Sequence, residues 1–208
     1  MKRVRIKVCG ITNLKDALFC ESLGVDALGF IFYPGSPRYI RFKKAKRICR
    51  ALGPFVKKVG VFVNERPSSV LDIVKDLRLD AVQLHGEEPD EDIELFKRHT
   101  TVIKALKVKT KNSLRRIERV KADALLLDRY SPRLPGGTGE RFPWKCLRGL
   151  NTDKKIIVSG GLNPYNVYEL FKIYIPYGVD ISSGVEKSPG KKDHMLLRQF
   201  IERVSILR

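Results

Sequence analysis

Residues 4–12 read Val-Arg-Ile-Lys-Val-Cys-Gly-Ile-Thr, and this stretch decides the fold. Val4, Ile6 and Val8 alternate with Arg5, Lys7 and Cys9, the period of two that sends successive side chains of a strand to opposite faces. One face is apolar and the other carries a thiol beside two cations. Gly10 permits a sharp turn directly after the thiol, and Thr12 or Asn13 can cap a helix that starts near Leu14. The unit is therefore strand, turn, helix, with Cys9 at the strand's C-terminal end, where many α/β enzymes keep their chemistry. A buried cysteine acting as a small hydrophobe is the plainer alternative.

The same unit recurs along the chain. Strands are expected at Asp26–Phe32, Lys58–Val63, Ala81–Leu84, Thr101–Val108, Ala124–Asp128, Lys155–Val158 and Val179–Ser182. Helices are expected at Leu14–Leu23, Phe42–Leu52, Pro67–Leu77, Pro89–Arg98, Ser113–Val120, Pro143–Leu150, Asn163–Ile173 and Lys191–Leu207. Strands such as Asp26–Phe32 are almost wholly apolar, as parallel strands covered on both faces are. Eight units in 208 residues average about 26 residues, close to the smallest that still provides a crossover helix. That count favours a compact single-domain (β/α)8 barrel, the TIM-barrel fold, over an open doubly wound sheet. In a barrel all strand C-termini meet at one mouth, so Cys9, Arg38, Gln83, His85, Asp128, Gly160 and Ser183 converge although they are scattered in sequence.

Composition narrows the function classes. The chain has 41 Lys and Arg against 23 Asp and Glu, a formal charge of +18 that favours an anionic partner. The charge includes no block of five or six like residues, which argues against a nucleic-acid-binding tail. Cys9, Cys20, Cys49 and Cys146 form no CxxC pair, so neither a zinc site nor a redox motif is indicated. No apolar run is long enough for a signal peptide or membrane span, and a cytoplasmic protein with reduced thiols is expected.

Several groups at the expected mouth have chemistry to offer. Ser159-Gly160-Gly161-Leu162-Asn163-Pro164 follows strand seven and Ser182-Ser183-Gly184 follows strand eight. Bare amides in these two loops make the phosphate site that many barrels carry there, although tight turns alone would also use glycine. Asp128 ends an apolar strand and is a candidate acid, or else a cap or a partner of Arg129. Arg38 suits a bidentate pair with a carboxylate, or is a solvated loop arginine. Arg5 and Lys7 beside Cys9 are expected to favour its thiolate and lower its pKa.

The motifs KVCGIT, GFIFYPGSPRYI, VGVFVNE, VQLHGEE, LLLD, GGTG, SGGLNPYNV, VDISSGVE and PGKKDH, in this order, resemble phosphoribosylanthranilate isomerase, the TrpF family. The resemblance runs from about Val4 into the last helix. Glu140 and Pro143 depart from it, standing where the family commonly has a lysine and an aspartate. It implies a cofactor-free Amadori rearrangement of N-(5'-phosphoribosyl)anthranilate to 1-(2-carboxyphenylamino)-1-deoxyribulose 5-phosphate in tryptophan biosynthesis. It further implies Asp128 as general acid and Cys9 as general base. Arg38 would face the anthranilate carboxylate, Gly160, Gly161, Ser183 and Gly184 the phosphate, and Gln83, His85 and Asp180 would be polar lining. No metal is implied, and exposed apolar positions on so small a barrel suggest a possible homodimer. The ProFAR isomerase of histidine biosynthesis is the rival on the same barrel. It resembles a pair of aspartates at the ends of strands one and five, where this chain has Cys9 and the apolar Ala105, Leu106 and Val108. A nucleic-acid binder, suggested by the charge alone, lacks a recognised motif.

Overall fold

The computed structural model describes residues 3–129 and 141–206. Its first strand, β1 (Arg5–Cys9), pairs in parallel with β2 (Ala27–Ile31) on one side and with β8 (Gly178–Ile181) on the other. Between them run β3 (Lys57–Phe62), β4 (Ala81–Leu84), β5 (Thr101–Val108), β6 (Ala124–Arg129) and β7 (Lys155–Val158), closing an eight-stranded parallel barrel. The alternation in β1 sorts its side chains between two cores. Ile6 and Val8 are fully buried among the surrounding helices, in a core that also holds Leu28, Phe30, Leu125 and Leu127. Lys7 and Cys9 point into the barrel, above a smaller packed layer of Val59, Ala81, Ile103, Ala105, Ala124, Leu126 and Ile157.

The outer elements follow local signals. α1 (Leu14–Ser22) starts at Asn13, whose side chain accepts a hydrogen bond from the Asp16 amide. α2 (Phe42–Ala51) and α4 (Asp90–Lys97) lie near the expected bounds, and α3 (Pro67–Leu77) opens with proline, whose missing N–H costs nothing in a first turn. Two of the eight expected helices are 3-10 rather than α. Residues Lys111–Arg119 and Trp144–Leu147 form 3-10 helices. In the first, the buried residues Leu114 and Ile117 are three apart, and three residues per turn is the 3-10 period. Helix α5 (Val167–Phe171) is shorter than Asn163–Ile173 because Asn163 and Asn166 take each other's backbone amides with their side chains, replacing the first helical turn. The expected Lys191–Leu207 helix also divides. Lys191–Lys192 forms strand β10, antiparallel to β9 (Glu186–Ser188), and Asp193 caps α6 (His194–Ser205) by accepting from the Met195 and Leu196 amides. The loop expected over Arg129–Glu140, with its GGTG and Glu140, lies outside the described residues beyond Arg129.

A buried ion pair holds the ends of β3 and β4. Lys104 donates to the Gly86 carbonyl at 2.8 Å and to Glu88, while Glu88 accepts the Asn64 and Gly86 amides at 3.0 and 2.9 Å. Asn64 sits at φ +50° and receives the Glu87 amide through its side chain. Gly86 is required there, because a Cβ would collide with Asn64 Oδ1. This clamp fixes the backbone that follows His85.

Candidate active site

Cys9, Arg38, Gln83, His85, Asp128, Gly160, Gly161, Asp180 and Ser183 all line one cavity at the C-terminal mouth of the barrel. They come from six different strand ends, and the closed topology brings them together. Gly184 stands just behind, packed so closely on the β7–α5 loop that a Cβ would collide with the Leu162 carbonyl oxygen.

The surroundings of Cys9 differ from the expectation in two respects. Arg5 is not beside the thiol; it lies at the opposite end of the barrel, paired with Asp26 at 2.9 Å. Lys7 is the neighbour, buried with its ammonium 2.9 Å from Asp180 Oδ1 and lying against Cys9 over Gly29. Burial pushes the Cys9 thiol up, and neither the attraction of Lys7 nor that of Lys192 reverses it, so the expected lowering does not occur. Burial likewise raises Asp180, with Asp128 nearby adding repulsion and Lys7 opposing. For Lys7, burial disfavours the charge, but Asp180 and Cys9 outweigh it and hold the ammonium protonated.

Across the mouth, Asp128 Oδ2 is 3.3 Å from His85 Nε2, and its Oδ1 accepts the Arg129 amide at 2.8 Å. His85 Nδ1 is 3.0 Å from Gln83 Nε2. An amide that donates to Nδ1 leaves the histidine proton on Nε2, aimed at the carboxylate. Gln83 Oε1 is buried without a protein partner among the described residues, an acceptor left over at the mouth.

Arg38 is not a solvated loop arginine. Its Nε donates to Glu186 Oε1 and its Nη2 to Oε2, at 3.0 and 2.8 Å, a fork that fixes the guanidinium plane. Glu186 is shared with Lys192, whose fully buried ammonium also donates to the Cys9 carbonyl at 2.6 Å. Burial alone would raise Glu186, yet Arg38 and Lys192 together hold its carboxyl below the usual range.

At the expected phosphate loops, Gly160 and Gly161 adopt φ +81° and +65°, conformations closed to most side chains, and the Asn166 side chain donates to the Gly161 carbonyl. Among the described residues, no group of three His, Cys, Asp or Glu is placed to hold a metal ion.

The family model for N-(5'-phosphoribosyl)anthranilate (PRA) isomerase matches residues 6–203. This chain belongs to the phosphoribosylanthranilate isomerase family. The enzyme of that name from Thermotoga maritima is 46% identical over 200 residues, which cover 96% of this chain and 97% of the relative. Its crystal structure matches with a TM-score of 0.91 at 44% identity, over 98% of this chain and all of that one. Also similar is a crystal structure of mutually generated monomers of the dimeric Thermotoga maritima enzyme, with a TM-score of 0.85, 41% identity and 98% and 100% coverage. A further structure holds the isomerase in complex with reduced 1-(o-carboxyphenylamino)-1-deoxyribulose 5-phosphate, with a TM-score of 0.85, 42% identity and the same coverage. As a phosphoribosylanthranilate isomerase, the chain acts in tryptophan biosynthesis.

The residues around this isomerase mouth that sequence reasoning missed are Glu186 and Lys192. Both lie in quoted motifs, SSGVE and PGKK, but their joint role depends on a hairpin hidden by reading Lys191 onward as helix. Lys7 is evident beside Cys9 in the sequence, yet its partner Asp180 lies 173 residues away and no local pattern points to it.

Proposed function

We propose that this chain isomerises its substrate by paired proton transfers, with Asp128 as general acid and Cys9 as general base. Asp128 protonates the ribose ring oxygen, and the furanose opens to a Schiff base. Cys9, as thiolate, removes the proton from the carbon beside the imine, and the resulting enolamine tautomerises to the ketone. Only protons move, so the sequence of steps calls for no redox cofactor. Each transfer contributes about 10² to 10⁴ in rate when its group is well placed.

One observation carries the assignment: two buried ionisable groups reach the same mouth from different strands, each with its own polar partners, Lys7 for Cys9 and His85 for Asp128. The loops at Gly160, Gly161, Ser183 and Gly184 receive the phosphate. Arg38, held edge-on by Glu186, offers its remaining N–H groups to the anthranilate carboxylate. Gln83, His85 and Asp180 line the space between. Purified protein given phosphoribosylanthranilate should quench the substrate's anthranilate fluorescence without added cofactor. Cys9→Ser and Asp128→Asn should keep the wild-type circular dichroism and lose most turnover; near-wild-type turnover in either would refute the pairing.

A homodimer, finally, is best accommodated at the opposite end of the barrel. There Phe55 is 95% exposed beside a cavity of about 460 Å³ floored by Val59, Ala81, Ile103 and Ile157, and a second copy covering it would hide both. The four free cysteines fit the reducing cytoplasm as its place of action. Among the described residues, no helix is long and apolar enough to cross a membrane.

A further inference from the structure

A thiol buried at the floor of the mouth is a poor base unless something holds its charge. The reaction proposed above needs Cys9 as thiolate, and burial opposes that charge. Among the described residues, the groups that face Cys9 are few. From its own strand comes the Lys7 ammonium; from β8 comes Asp180; from the β9–β10 hairpin comes Lys192; β2 presents only Gly29, which has no side chain to interpose. Lys192 is committed to carbonyl oxygens of Cys9 and Ser182 and to Glu186. Arg38 is committed to Glu186 as well. Lys7 is the cation that touches the thiol side of the residue: a Cβ on Gly29 would fall 2.7 Å from Cys9 Sγ and 3.0 Å from Lys7 Nζ.

We propose that Lys7 sets the charge state of Cys9, and that Asp180 moderates it by sharing the same ammonium. Lys7 is a positioning residue here, acting on the substrate only through the thiol. The inference rests on Cys9 being the base. The arrangement has a signed consequence. Removing the cation removes the attraction that favours the thiolate, so Cys9 should titrate at higher pH. Removing the negative charge of Asp180 leaves the ammonium uncompensated, so Cys9 should titrate at lower pH. A nearby unit charge in a buried site moves a titration by about one to three units, or about tenfold to a thousandfold in the thiolate fraction at neutral pH.

The test measures two quantities against pH in wild type, Lys7→Met and Asp180→Asn: kcat, and the rate at which iodoacetamide alkylates Cys9, followed on the Cys9 peptide by mass spectrometry. Cys20 and Cys49, pushed up to about 12 and about 11 by burial, react slowly and serve as internal references. In Lys7→Met the alkylation curve should move to higher pH by about one unit or more, with kcat at neutral pH down about tenfold or more and recovering as pH rises. In Asp180→Asn the alkylation curve should move the other way. Curves that stay within a few tenths of a unit of wild type, or that move in the same direction in both variants, would overturn the proposal. If Lys7→Met does not fold, Lys7→Gln keeps a donor for Asp180 without the charge and carries the same expectation. Cys9→Ser separates the two readings. Should it retain turnover, the base assignment fails, while the alkylation curves still decide whether Lys7 governs the thiol.

Discussion

Replacing Gly29 with alanine adds one methyl group at the floor of the active site. With the backbone unmoved, its carbon lies 2.7 Å from Cys9 Sγ, 3.0 Å from Lys7 Nζ and 3.1 Å from Cys9 Cα. Ordinary van der Waals approach begins near 3.4 Å, so the thiol has to retreat by about 0.7 Å, and the crowding against the Cys9 backbone prevents the strand from simply rotating away. Overpacking of this kind costs about 1–3 kcal/mol of stability. A reacting atom displaced by about 1 Å can cost 10²-fold in rate, so a loss of about tenfold to a hundredfold in kcat is expected from Gly29→Ala, with KM little changed because the groups that hold the phosphate and carboxylate lie elsewhere. Gly24→Ala is the control. Gly24 has nothing within 4 Å of a built Cβ, but its φ of +71° penalises a side chain by about 1–2 kcal/mol. The two variants should therefore lose similar stability in thermal unfolding, while only Gly29→Ala loses turnover in the fluorescence assay. If Gly29→Ala turned over within twofold of wild type, Cys9 would not be held in a working position by that floor.

Three further outcomes are expected. Arg38→Ala should raise KM at least tenfold with a smaller change in kcat, and Glu186→Gln should do the same more weakly by loosening the guanidinium; unchanged KM in both would return Arg38 to a structural role. Glu88→Gln should destabilise the protein by about 3–5 kcal/mol at neutral pH, because it leaves Lys104 buried without its counter-charge. Burial alone would raise Glu88, but the Lys104 bond and the backbone amides outweigh it and hold the carboxyl below its ordinary range. Its contribution is therefore complete above the unfolded pKa of about 4.3 and lost as pH falls through the lower folded value, so the gap between wild-type and variant melting temperatures should narrow in acid. Phe55→Asp should shift a dimer towards monomer in analytical ultracentrifugation, and an unchanged sedimentation coefficient would move the interface elsewhere.

The fold was legible because parallel strands write their burial into the sequence. Thr101–Val108 and Lys155–Val158 match the structure at both ends, since apolar runs bounded by polar turns leave little choice. The outer elements were less legible. A Leu114–Ile117 spacing of three fits the start of an α-helix as well as a 3-10 helix, and short side chains such as Asn163 and Asn166 decide by local hydrogen bonding that hydropathy does not register. At the mouth, residues at strand ends could be read, because their position follows from the strand count. The direction of the Cys9 shift could not. The cations next to it in sequence gave no measure of how completely the barrel removes water, and Arg5, two residues before Lys7 on the same face, lies beyond reach at the far end.

Lys192 donates to the carbonyl of Cys9 from 183 residues further along the chain, and β8 closes the barrel against β1. Pairings of that separation make assembly slow and late. On a ribosome adding about 5–20 residues per second, roughly 10–40 s pass between the emergence of the two partners. During that interval the first strand has no neighbour on its β8 side, and the thiol has neither its ammonium-tethered carbonyl nor Asp180 behind it. The catalytic centre is thus a property of the finished chain, and a nascent chain stalled between β8 and the hairpin carries all eight barrel strands without the ammonium that holds the Cys9 carbonyl.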